Sequence, residues 1–179
     1  MVCSQVVARS AVVLLLVAIS VGVNTPAVEA QGAMCLGLRA TIIGTDGDDA
    51  LHGTDGNDVI VGRGGNDTIY GLAGNDVICG GDGNEAIYGG PGDDVIHGDA
   101  GDDALHGEEG MDSIRGGTGQ DRLYGGDGED DLYGDEGADR LYGDDGNDFL
   151  SGGPGTDDCN GGGGRDATDG SCERTAGVP

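Results

Sequence analysis

The nonapeptide Gly62-Arg63-Gly64-Gly65-Asn66-Asp67-Thr68-Ile69-Tyr70 decides the fold, because its pattern recurs fourteen times without an insertion across residues 44–169. Gly holds the first and fourth positions of all fourteen units, and the sixth is Asp in thirteen and Glu85 in the other. The eighth position carries Leu51, Ile60, Ile69, Ile78, Ile87, Ile96, Leu105, Ile114, Leu123, Leu132, Leu141 and Leu150 in the first twelve units. Glycine, carboxylate and aliphatic side chain therefore repeat in phase. Fixed-period self-similarity of this kind marks a solenoid, in which each unit buries its apolar face only against its neighbours.

Triplets such as Val59-Ile60-Val61 and Thr68-Ile69-Tyr70 favour short strands, separated by six-residue turns rich in Gly, Asp and Asn. Successive strand side chains point to opposite faces, so an inward eighth position leaves the seventh and ninth facing solvent. All five Tyr and all three His occupy the ninth position. His52, Tyr70, Tyr88, His106, Tyr124 and Tyr142 recur at eighteen-residue steps, which predicts a stacked ladder on one sheet and reads as surface packing.

The repeat resembles the RTX, or haemolysin-type, nonapeptide G-G-x-G-x-D-x-U-x, with U a large aliphatic residue, over 126 of the 179 residues. The fold expected is all-β, a parallel β-roll in which two nonapeptides make one coil. Fourteen units then give about seven coils and, at a strand spacing of about 4.8 Å, a roll about 30 Å long. A core one side chain thick per unit is too thin to offset the ordering of so long a chain by apolar burial alone.

Stacking the coils brings sixth-position carboxylates eighteen residues apart near one another, for example Asp49 with Asp67 and Asp58 with Asp76. Two such charges about 5 Å apart repel by roughly 3 kcal/mol at an effective dielectric of about 20. A hard dication taking six to eight oxygen ligands, typical of Ca2+, converts that repulsion into attraction. The resemblance implies calcium ions between turns of adjacent coils, held by sixth-position Asp and by turn carbonyls, at no more than twelve sites. Carried onto this chain, the ligands are Asp49, Asp58, Asp67, Asp76, Asp94, Asp103, Asp112, Asp121, Asp130, Asp139, Asp148 and Asp157. Glu85, with its longer side chain, departs from the pattern, as does the unit of Asp166, which has Arg165 in its turn and Thr168 at its core position. Magnesium, which demands tight octahedral geometry, fits such turns poorly, and there is no convergent Cys/His set for zinc.

The chain has 34 acidic residues against eight basic ones and a net charge of −26. Such a chain repels nucleic acid and anionic membrane surfaces and suits cations. With 41 Gly it could pass for a low-complexity segment, but the strict register argues for order, and the glycine spacing fails the every-third-residue rule of collagen.

Residues 1–30 read as a secretory signal peptide: Arg9 precedes an apolar stretch over residues 11–23, and Val28-Glu29-Ala30 offers a small-residue cleavage site. That apolar stretch is shorter than the roughly 20 residues of a membrane span. The protein is therefore expected to be secreted and extracellular, with no membrane span after cleavage. Residues 31–43 form an N-terminal cap segment and residues 170–179 a C-terminal tail. Met34, Cys35, Leu36, Leu38, Ile42 and Ile43 make that cap apolar, and it is expected to fold over an outward apolar patch of Val59, Val61, Val77, Cys79 and Val95, with Cys35 bonded to Cys79. A Cys159–Cys172 bond would staple the other end; four buried or unpaired thiols are the alternative.

Neither H-E-x-x-H nor G-x-S-x-G occurs, and no other segment is long enough to bury a catalytic site. The expected function is calcium-switched folding of a structural or interaction module, with multiple calcium ions as partners. Calcium-dependent adhesion to a cell-wall or matrix partner is the second reading. The irregular third turn position, Asp46, Asp55, Gly64, Ala73, Asp82 and Pro91, argues against an ice-binding face.

Overall fold

The computed structural model describes residues 33–177. The segment read as a signal peptide, residues 1–30, lies outside them. Among the described residues there is no helix, and so none long and apolar enough to cross a membrane.

Two parallel sheets face each other across the core. The first runs from Ile42–Ile43 through Val59–Gly64, Val77–Asp82, Val95–Ala100, Ser113–Gly119, Asp131–Gly137 and Phe149–Ser151 to Ala167–Thr168. The second runs from Ala50–His52 through Thr68–Tyr70, Ala86–Pro91, Ala104–Glu109, Arg122–Asp127, Arg140–Gly146 and Asp158–Asn160 to Arg174–Ala176. The chain alternates between the two sheets, as the two-nonapeptide coil requires. Ile60 pairs in register with Ile78 and Ile69 with Ile87, so each eighth-position residue sits on its counterpart eighteen residues away. The resulting column of Ile and Leu from Ile60 to Leu150 is fully buried, with Cys159 at its end and Ile42, Leu51 and Cys172 packed against it.

Two features extend the expectation. Each sheet has eight strands in its main path, giving about eight turns rather than seven, because Ile42–Ile43 opens the first sheet and Arg174–Ala176 closes the second. Strands in the middle of the roll are also six or seven residues long rather than three, since the ladder continues through the glycines into the turn; Gly117, for example, pairs with Asp99.

The cap segment divides its work. Met34–Cys35 and Leu38–Arg39 form an antiparallel hairpin that lies against Val59–Gly64 and Val77–Asp82, while Ile42–Ile43 joins the sheet itself. A Cys35–Cys79 disulfide, with Cα atoms 5.8 Å apart, pins the hairpin in place. Cys159–Cys172, with Cα atoms 5.9 Å apart, fastens the tail at the opposite end. Closing loops of 44 and 13 residues, both bonds restrict the unfolded chain. Replacing Cys35 and Cys79 together by Ser should lower unfolding stability by about 2–4 kcal/mol, measured by denaturation in excess calcium.

Fourth-position glycines show what stacking demands. Gly101 has φ +133°, and a β-carbon there would overlap the carbonyl oxygen of Gly83 one coil back. Gly47, in the first repeat, has no counterpart one coil back among the described residues, and a β-carbon would meet nothing within 4 Å. Gly101→Ala is therefore expected to cost at least about 2 kcal/mol through strain and overlap, whereas Gly47→Ala should shift the melting midpoint little; paired thermal melts compare them.

Candidate metal centre

Sixth-position carboxylates form two buried rows, one in each line of turns. Asp67, Asp76, Asp94, Asp103, Asp112, Asp121, Asp130, Asp139, Asp148 and Asp157 are all buried, as are Glu85 and Asp166. One oxygen of each Asp has a fixed duty. Oδ1 of Asp121 accepts the Asp103 N–H at 2.8 Å, and Oδ1 of Asp103 accepts the Glu85 N–H at 2.8 Å. Each coil is thereby bonded to the next through a side chain inserted between turns. The second oxygen, Oδ2, has no hydrogen-bond partner in any of these ten residues.

A buried carboxylate oxygen without a partner is costly, and its position indicates what it is for. A β-carbon placed on Gly134 would lie 2.5 Å from Oδ2 of Asp139 and 2.6 Å from the carbonyl oxygen of Gly152 in the next coil. The first-position glycine thus leaves a cradle into which a carboxylate and a main-chain carbonyl of adjacent coils both project. The cradle recurs at Gly98, Gly107, Gly116, Gly125 and Gly143. Its donors are all oxygen, the hard set that Ca2+ prefers. No group of three or more His, Cys, Asp or Glu side chains converges among the described residues, so main-chain carbonyls are a necessary part of any coordination shell here. The residues present fit calcium.

Departures occur at the ends and at Glu85. Oδ2 of Asp49 accepts from the N–H and hydroxyl of Thr45 at 2.6 and 2.8 Å, and Oδ2 of Asp58 from those of Thr54, both at 2.8 Å. Threonine thus satisfies the first carboxylate of each row. Asp166 keeps the row geometry: its Oδ1 accepts the Asp148 N–H at 3.1 Å and its Oδ2 is unpartnered. Beyond it, Glu173 of the tail accepts the Asp157 N–H in place of a further repeat. Both oxygens of Glu85 lack partners, because the extra methylene breaks the relay that Asp maintains.

Two further roles escaped the pattern of glycines and carboxylates. Fifth-position side chains relay in the opposite direction, with Asn66 N–H donating to Oδ1 of Asp48 and Asn84 N–H to Oδ1 of Asn66, at 2.7 and 2.9 Å. The second turn position takes positive φ even where it is not glycine, as at Arg63, Leu72, Asp99, Glu108, Asp135 and Asp144. The recurrence of Gly, Asp and Asn at these two positions was the available signal.

Without metal the rows resist ionisation. Burial, opposed by the accepted N–H and reinforced by neighbouring carboxylates, pushes Asp94, Asp112 and Asp121 up to about 7. The same balance takes Asp130 and Asp139 to about 6, and Glu85 is raised by burial and by Asp103. Burial also raises Asp58, but bonds from Thr54 and Thr41 outweigh it and its pKa falls below the usual range.

Carboxylates raised in the folded state bind protons that the unfolded chain, with Asp near 3.9, has released. The metal-free roll is therefore most stable below about pH 4 and loses that contribution as pH rises toward 7. In chelator, acidification from pH 8 to 5 should increase the far-UV sheet signal. Apparent calcium affinity should fall over the same interval, because protons and metal neutralise the same oxygens; calcium titrations at several pH values read this.

The RTX calcium-binding nonapeptide repeat matches residues 43–78, 80–112, 106–141 and 133–167 as four copies. Comparison with curated proteins gives no match. With the repeat matched across most of the chain and a parallel roll carrying its carboxylates in register, the protein belongs to the RTX calcium-binding nonapeptide repeat family.

Proposed function

We propose that this is a secreted, non-enzymatic protein whose β-roll folds when extracellular calcium fills the inter-coil cradles, and that it serves a structural or interaction role. The observation that carries the reading is the row of buried, unpartnered Oδ2 atoms, those of the Asp residues from Asp67 to Asp148 each beside a carbonyl oxygen of the adjacent coil. Asp49, Asp58, Asp67, Asp76, Asp94, Asp103, Asp112, Asp121, Asp130, Asp139, Asp148 and Asp157 are the proposed ligands, with the Thr-capped Asp49 and Asp58 contributing to the outermost sites.

Charge supports the same reading. Twelve doubly charged ions would bring the chain's −26 to −2, removing the self-repulsion that opposes a compact roll. In a cell exterior, where calcium is plentiful, the roll is filled; before export, in low calcium, the chain stays open. Magnesium substitutes poorly because it keeps its waters and demands octahedral order.

Circular dichroism of the chain during parallel calcium and magnesium titrations tests this. A cooperative coil-to-sheet transition is expected with calcium in the range of about 10⁻⁴–10⁻³ M, and none with magnesium. A fully sheeted chain in chelator at neutral pH would show that the roll does not need the metal to fold.

A further inference from the structure

We propose that the outer face of the second sheet binds elongated, planar aromatic cations along its stacked rings. His52, Tyr70, Tyr88, His106, Tyr124 and Tyr142 form an uninterrupted ladder, with successive ring centroids 4.5–5.1 Å apart and planes 4–12° from parallel. The rings occupy one another's faces, so what they offer outward is a straight row of edges along the roll axis.

Beside this row lies a trough of about 340 Å³, lined by Tyr70, Leu72, Tyr88, Gly90, Pro91 and Glu108. Leu72 is the informative residue. It is 42% exposed and held at φ 81°, a conformation costly for a bulky side chain. Its counterparts one and three coils on are Gly90 and Gly126, so the turn itself does not call for leucine. Strain together with exposed apolar surface in one residue marks a place where contact, rather than the fold, is served. Gly90, between Leu72 and Glu108, leaves the floor open, and Pro91 adds a second apolar wall.

The charge on this flank is negative. Glu108 lines the trough, and both it and Asp144 act on His106, whose pKa burial nonetheless holds below the usual value. Arg122 and Arg140 stand at the seventh position of their units, on the other flank of the ring row. A ligand that fits must be flat enough to lie against ring edges and long enough to span two or more coils. It must also carry a positive charge for Glu108. A rigid body of this shape gains repeated contacts from a periodic surface at little entropic cost. The parallel, in-register ladder presents the same surface as a cross-β assembly.

Thioflavin T, a planar aromatic cation, is the probe, titrated by fluorescence into the full chain at saturating calcium so that the carboxylate rows are neutralised. Leu72→Gly relieves the positive φ and should raise thermal stability while weakening dye binding about tenfold. Glu108→Gln should weaken it about threefold to tenfold. Arg63→Gly relieves the equivalent strain on the opposite line of turns and should leave binding unchanged. Absence of dye binding, unchanged affinity in Leu72→Gly and Glu108→Gln, or equal weakening by Arg63→Gly would each overturn the proposal. Sheet content followed by circular dichroism keeps this test separate from calcium dependence: if the roll persists in chelator, the metal-driven folding proposal fails while the dye site stands.

Discussion

Stacked carboxylates buried in two rows are the constraint on which the rest of this roll depends. From Asp67 on, each sixth-position Asp uses one oxygen to tie a backbone N–H of the neighbouring coil and leaves the other without a partner. The first contact needs the side chain inside, where the second oxygen cannot reach water. The roll is thus built so that its own connecting device leaves a buried carboxylate oxygen unsatisfied, in a cradle whose donors are all oxygen. The first-position glycines belong to the same constraint, since a β-carbon there would fill the space between carboxylate and carbonyl.

The ends follow from what the middle lacks. Thr45 and Thr54 satisfy the carboxylates that open the two rows. At the other end, the tail supplies Glu173 to the Asp157 N–H and a strand that pairs with Asp158–Asn160. An open solenoid end exposes both core and strand edge; here the C-terminal end is closed by a disulfide-held strand, while the N-terminal disulfide holds a hairpin on the outer face of the first sheet.

Much of this was legible because the repeat never slips. Eighteen-residue spacing is enough to put Ile60 on Ile78 and Tyr70 on Tyr88, since two units make a coil whatever the turns do in detail. The Cys35–Cys79 pairing was legible too, from an apolar leader facing an apolar patch. Strand length was not: glycines suggested turns, yet their backbone continues the ladder because the neighbouring coil offers the same groups at the same height. The eighth turn was equally hidden, since neither Ile42–Ile43 nor Arg174–Ala176 carries the repeat and each joins its sheet only because the adjacent strand edge is free.

Sequence alone determined the period, the inward residue of each strand, the all-β class and the carboxylates at issue, because these depend only on local alternation and fixed spacing. Tertiary structure decided which oxygen of each carboxylate is engaged, that threonine and Glu173 terminate the rows, and that Leu72 stands strained and exposed beside a ring ladder. Those outcomes depend on atoms eighteen residues apart meeting across coils, where a hydrogen bond formed by one oxygen determines what remains for the other.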